Sequence, residues 1–272
     1  MRIVVCVKEV PDPDAVNAYA VAGRLVIAED GRSLAQASIP QLMNAYDEQA
    51  IEAALRLRDS GVECSITCVS AGPDPAGVLK HAAALGADEI VAISLQQPVD
   101  CLAVSRILAA WVRRSGGADL VLCGRQASDD DQGVVPAMMG EMLGIPVITV
   151  AREVSVTPSP DGQAWMRVTR VTPEGDEIVE APCPAVVTIS NELGQPRYPT
   201  AARAMAARRM QPAVVSLGDL SLNTEDLQPS VELLSLTVPS LQGNCEFISG
   251  GTAAETAARL ISRLREGHLL QA

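Results

Sequence analysis

Short β-branched runs alternate with stretches of helical period through the first 150 residues of the chain. Ile3–Val7, Cys64–Val69, Glu89–Ile93, Leu120–Cys123 and Val147–Val150 read as strands, and helices are predicted over 47–59, 75–85, 99–114 and 133–143. Alternation of this kind calls for a parallel sheet covered by helices on both faces, because parallel neighbours need long crossovers. The helix ends agree with it. Asn44 precedes the first long helix as a cap with Asp47 three residues on, Arg56 and Arg58 fall in its last turn, and Gly61 follows. Gly86 and Gly144 close later helices, and Pro146 starts a strand where its missing N–H costs little.

The texture changes near residue 151. Val154–Val156, Met166–Arg170 and Ile178–Val179 are short alternating segments split by the turn signals Pro158–Gly162 and Pro173–Asp176. They predict a small antiparallel meander over 151–182, followed by the apolar strand Ala185–Ile189, so that residues 1–190 form one α/β domain. Beyond it come Pro196-Arg197-Tyr198-Pro199, a helix with Arg203, Arg208 and Arg209, and a Pro- and Ser-spaced stretch to about 250. The last helix opens on the capping box Thr252–Glu255 and gathers Ala253, Ala257, Leu260, Ile261 and Leu264 on one face. That face packs either on a partner chain or back on the chain's own sheet.

Composition narrows the function. At 272 residues and 48% hydrophobic content a buried core is expected. A formal charge of −12 and 2% aromatic residues argue against nucleic acid, which needs phosphate-neutralising surface and stacking platforms. The apolar run after Arg2 is too short for a signal-peptide core, and no run approaches the roughly 18–20 residues of a membrane helix. The reading is cytoplasmic, without membrane insertion. Seven scattered cysteines fit small buried hydrophobes in a reducing compartment, and Cys64 and Cys68 lack the second ligand pair that zinc requires. His81 and His268 are isolated.

The segment with most chemical content is Gly124-Arg125-Gln126-Ala127-Ser128-Asp129-Asp130-Asp131-Gln132-Gly133, directly after the fourth strand and opening a helix. Ligands of doubly wound sheets sit at the carboxyl ends of strands, and helix N-termini hold phosphate, so this position favours a nucleotide site. The aspartates read as caps of the helix start, as holders of ribose hydroxyls, or as a solvated acidic turn. Lys8–Pro13 stands where a GxGxxG turn would follow the first strand, and there is no Walker lysine, so nicotinamide chemistry is disfavoured. No serine elbow, metal-ligand cluster or catalytic dyad appears, and adjacent acids suit magnesium's octahedral geometry poorly. The residues alone point to a nucleotide-binding α/β protein without catalytic machinery. A free-standing ATP-binding or ATP-hydrolysing α/β protein, or a scaffold with a vestigial site, stays open at this point.

Six motifs in register over about residues 1–210 resemble the beta subunit of electron-transfer flavoproteins. They are Val5-Cys6-Val7-Lys8, Asn44–Ala50, Val69–Gly72, Ala83–Asp88, Gly124–Ala127 with Asp129–Asp131, and Gln195–Tyr198. The resemblance implies a Rossmann-like, doubly wound, mostly parallel sheet of the adenine-nucleotide-binding type with an extended C-terminal arm. It also implies a heterodimer whose alpha subunit shares an FAD with this chain, which itself buries AMP. Carried over by motif, the nucleotide site takes Cys6, Asn44, Ala45, Tyr46, Asp47, Ala71, Gly124, Gln126, Asp129, Asp130, Asp131, Gln132, Gly133, Val134, Val135, Pro136, Ala137, Met138, Met139 and Gly140. Residues 191–210 match the recognition loop and helix, with an exposed Leu193 as anchor beside Pro196, Arg197 and Tyr198, and 211–272 form an arm on the alpha subunit. Implied partners are flavin dehydrogenases of the acyl-CoA dehydrogenase type and a quinone oxidoreductase, with no catalytic residue on this chain. Three departures matter. Val134 lies where a glutamine is common, Val171 stands where a glutamate often does, and Val10-Pro11-Asp12 is like flavin-bifurcating members, which hold a second FAD in place of AMP. Asp130 occupies a place where those members tend to have a small residue, which favours AMP.

Overall fold

The computed structural model describes residues 1–97, 99–158, 163–238 and 245–270. The chain divides into two compact units, Met1–Leu236 and Thr237–Ala272. In the first, the strands are β1 (Arg2–Cys6), β2 (Glu9–Pro11), β3 (Gln41–Met43), β4 (Ser65–Gly72), β5 (Glu89–Ser94), β6 (Leu120–Gly124), β7 (Val147–Pro158), β8 (Ala164–Thr172), β9 (Gly175–Pro182), β10 (Ala185–Ile189) and β11 (Ala213–Val215). Its helices are α1 (Pro13–Val21), α2 (Ala45–Asp59), α3 (Ala76–Leu85), α4 (Cys101–Arg114), α5 (Val135–Leu143) and α6 (Ala201–Arg209).

Nine strands form one sheet in the order β11-β5-β4-β1-β6-β10-β7-β8-β9. Pairing is parallel from β11 through β7 and antiparallel from β7 to β9. The expected parallel sheet and meander are thus one continuous sheet, because β7 runs past the end of β10 and pairs with β8 instead. The turn expected at 158–162 lies, over 159–162, outside the described residues.

Alternation along the strands sends Ile3 and Val5 to one face and Val4 and Cys6 to the other. The first face packs on Ile51, Leu55 and Leu57 of α2 and Leu79 of α3. The second packs on Ile107, Leu108 and Trp111 of α4 and Met139 of α5. Helices cover both faces, as a doubly wound fold requires. The chain moves from β1 outward through β4 to β5 and then returns to place β6 on the other side of β1. The reversal opens a crevice at the carboxyl ends of β1 and β6.

The second unit contains α7 (Ala253–Glu266). Thr252 caps it by accepting from the Glu255 N–H at 3.2 Å, while the Glu255 carboxylate reaches back to the Gly251 N–H at 2.8 Å. No residue of α7 is buried, and Leu260 and Ile261 stand 45% and 44% exposed.

Candidate nucleotide site

The crevice is built around the first turn of α2. Lys8 follows β1, and its N–H donates to Asp47 Oδ2 at 2.8 Å; the Gly124 N–H, at the end of β6, donates to Asp47 Oδ1 at 3.0 Å. Asn44 serves the same loops. Its Nδ2 donates to Gln126 O at 2.8 Å, its Oδ1 accepts from the Ser128 N–H at 3.3 Å, and its backbone N–H donates to Lys8 O at 3.0 Å. Asn44 and Asp47 are 1% and 6% exposed. The expected side-chain cap at Asn44 is therefore absent, because loop groups more than eighty residues away take its amide instead.

Burial pushes the Asp47 carboxyl up to about 7, against the hydrogen bonds from Lys8, Asn44 and Gly124 and the charge of Lys8 that pull it down. Desolvation wins here since the side chain is almost wholly withdrawn from water. Gly124 is the matching residue on the other strand: a Cβ there would collide with the Asp47 carboxylate and lie 2.9 Å from the Tyr46 carbonyl carbon. Only glycine allows this close approach.

The loop from Arg125 to Val134 lines the opening. Arg125 stands over the Tyr46 ring at 5.2 Å, Gln126 Nε2 donates to Asp131 Oδ1 at 2.6 Å, and the Gln132 N–H donates to Asp130 Oδ1 at 3.2 Å. Lys8 Nζ reaches across to Asp129 at 2.7 Å and Asp130 at 3.3 Å. The helix starts later than expected, at Val135 behind Val134, with no side-chain cap and no acid in its first turn. Asp129–Asp131 thus do not cap it; positive φ at Asp131 and Gly133 turns the chain away from helix before Val135.

The residues of the expected nucleotide site divide into three groups. Ala45, Tyr46, Ala71, Gln126, Asp129–Val135, Ala137 and Met138 keep exposed or half-buried surface, as do the loop atoms of Lys8 and Ser128, which sequence reasoning missed. Asn44, Asp47 and Gly124 are buried beneath them and hold the loops. Cys6, Pro136, Met139 and Gly140 are core: the Cys123 thiol hydrogen-bonds Cys6, Met139 is fully buried, and a Cβ on Gly140 would strike the Val147 side chain. The hydrogen bond with Cys6, reinforced by burial, pushes the Cys123 thiol well above its usual range, so that thiol is not poised as a nucleophile.

Ser128 Oγ is buried and has no hydrogen-bond partner among the described residues. The residue Ser128 lines a cavity of about 500 Å³ together with Val10, Met43 and Val78, and with the polar Glu9, Glu48 and His81. Ala45, a residue of the expected nucleotide site, lines the same cavity. His81 Nε2 lies 2.7 Å from Glu48 Oε1, and burial, with Asp74 nearby, raises the Glu9 carboxyl.

The expected recognition segment differs in one respect. Leu193 is 7% exposed, within a 3-10 turn over Asn191–Leu193, rather than an exposed anchor. Its side chain joins the core beside α2, and Arg56 Nη1 of that helix donates to its carbonyl at 2.8 Å. Arg197 is tied down by Glu52 and Asp59, both at 2.7 Å, while Tyr198 is 81% exposed. Pro196 is half-buried.

This geometry accompanies clear sequence relationships. A model of the electron transfer flavoprotein domain matches residues 32–219. The chain belongs to the electron-transfer flavoprotein family. It is 31% identical to the Caffeyl-CoA reductase-Etf complex subunit CarD of Acetobacterium woodii, over 99% of this chain and 100% of that relative. It is 33% identical to the electron transfer flavoprotein subunit beta of Megasphaera elsdenii over 84% of this chain and 82% of the relative. With the same subunit of Clostridium acetobutylicum it shares 30% identity over 99% of this chain and the whole relative. Among the described residues of this family member, no group of three His, Cys, Asp or Glu side chains converges as a metal site, and no helix is long and apolar enough to cross a membrane.

Proposed function

We propose that this chain is the beta subunit of a heterodimeric electron-transfer flavoprotein. It accepts electrons from flavin dehydrogenases of the acyl-CoA dehydrogenase type and passes them to a quinone oxidoreductase or another acceptor. FAD, shared with the alpha subunit, supplies the reversible redox chemistry, and the chain contributes no bond-making residue of its own. AMP fills the crevice between the β1 and β6 loops as a structural ligand.

The observation that carries this reading is the Asn44–Asp47 clamp. Two buried polar side chains are committed to fixing two loops at the switch point of a doubly wound sheet, and they leave one buried hydroxyl, Ser128 Oγ, without a partner. Lys8, Gln126 and Ser128 would hold the nucleotide, the backbone of the Arg125–Val134 loop would surround it, and Asn44 and Asp47 would keep that loop in place. The exposed apolar face of α7 and the segment 191–210 would meet partner proteins.

The cavity lined by Ala45 and Ser128 favours a second reading, in which FAD replaces AMP: about 500 Å³ is room for the remainder of a dinucleotide. Co-expression with the neighbouring reading frame, acid release of ligands, and counting of flavin and AMP per complex separate the two. One FAD and one AMP support the electron carrier, and two FAD without AMP support the second reading. A stable chain that recruits neither flavin nor partner refutes both.

A further inference from the structure

Lys8 has two jobs at the mouth of the crevice. Its backbone N–H is fixed by Asp47, and its ammonium spans the gap to Asp129 at 2.7 Å and Asp130 at 3.3 Å. The side chains of Lys8 and Asp130 are 42% and 41% exposed, so the pair adds little to fold stability. Neither carboxylate caps α5, and Asp129 receives no other side-chain bond among the described residues. An ion pair that does little for the fold, yet joins both walls of a binding crevice, constrains what enters it.

We propose that the Lys8–Asp129–Asp130 ion pair is a selectivity latch that admits nucleotides with a single phosphate and turns away those with two or three. The proposal rests on the AMP reading above and is incompatible with the second, since FAD carries two phosphates. One ammonium is contested by two carboxylates and the incoming phosphate. The first phosphate gains Lys8 as it displaces the aspartates; each further phosphate adds negative charge beside Asp129, Asp130 and Asp131. Arg125, on the loop after β6, stands over the Tyr46 ring. Charge repulsion at the dielectric of a protein surface, screened by salt, corresponds to about tenfold in affinity per added phosphate.

The test is calorimetric titration of the flavin-loaded heterodimer, stripped of nucleotide, with adenosine, AMP, ADP and ATP in chelator-containing buffer. The wild type is expected to bind AMP about tenfold tighter than ADP and about a hundredfold tighter than ATP. Asp129→Asn/Asp130→Asn should collapse these ratios to within about threefold, and Lys8→Gln should remove the preference for AMP over adenosine. Single Asp130→Asn, at a more exposed position, serves if the double variant does not fold and should halve the ratio on a logarithmic scale. Equal affinities for AMP, ADP and ATP in the wild type, or ratios unchanged in the aspartate variants, overturn the latch while leaving the nucleotide site standing. A heterodimer that binds none of the four overturns the nucleotide reading itself.

Discussion

Replacing Asp47 with asparagine exposes a competition inside the clamp. Both carboxylate oxygens accept backbone N–H groups, from Lys8 at 2.8 Å and Gly124 at 3.0 Å. Asparagine keeps one acceptor and turns an NH2 toward the other donor, leaving a buried N–H unpaired at a cost of about 1–3 kcal/mol. The wild type carries a different cost. Its carboxyl is raised from 3.8 to about 7 by burial, so between these values the folded protein holds a proton that the unfolded chain has released. The stability contributed by this group is full below about pH 4 and is lost as pH rises through 7, by about 4 kcal/mol in all. Asp47→Asn lacks that term. Urea unfolding of both proteins at pH 5, 6, 7 and 8 should find the variant weaker by about 1–3 kcal/mol at pH 5 and equal or stronger at pH 8. Taking the difference at each pH cancels the other carboxylates of this acidic chain. A constant deficit at every pH would refute the reasoning, for it would mean that the two N–H bonds, and not burial, set the ionisation of Asp47.

Other substitutions probe separate links. Gly124→Ala forces a methyl into the Asp47 carboxylate and should cost about 3–5 kcal/mol, lowering Tm by about 6–15 °C in calorimetry and abolishing bound nucleotide. Glu52→Ala leaves Arg197 and Arg56 without their shared, nearly buried carboxylate. Denaturant titration should show a loss of about 1–3 kcal/mol, with bound nucleotide unchanged by acid release. Ile261→Asp, on the exposed apolar face of α7, should leave the melting of the chain alone unchanged and weaken capture of the alpha subunit at least tenfold, or about 1.4 kcal/mol, by surface plasmon resonance.

The strands of the parallel sheet were legible because each is a β-branched run between turn signals, and both faces of β1 and β6 are buried. Four elements were not. In Pro11-Asp12-Pro13 the prolines suggest loop, yet Asp12 caps α1 by accepting from the Asp14 N–H at 3.0 Å, and Pro13 begins that helix. β2 and β3 are three residues each, and their pairing joins positions some thirty residues apart, beyond any local pattern. β11 is only Ala213-Val214-Val215 and gains its strand character from the β5 edge.

At the site, the strand-end location was legible from topology, whereas the division of labour was not. Asn44 has the spacing of a cap, but its partners Gln126 and Ser128 become neighbours only when β6 lies beside β1. The aspartates precede a helix in sequence and so read as caps; Gly133 at φ +63° breaks that continuity. Lys8 stood in a matched motif without a role, because its ammonium finds Asp129 across the crevice, 121 residues away. Leu193 was expected at the surface only through the resemblance of its segment to a recognition loop, and the position of α2 decides its burial.

Electron transfer itself can be followed by mixing the purified heterodimer with an acyl-CoA dehydrogenase and its substrate under anaerobic conditions while recording flavin absorbance. The flavin of the heterodimer should bleach only when dehydrogenase and substrate are both present, and recover when a quinone oxidoreductase and quinone are added. A flavin-loaded heterodimer whose absorbance stays constant with a panel of acyl-CoA dehydrogenases, yet bleaches with chemical reductant, would contradict it.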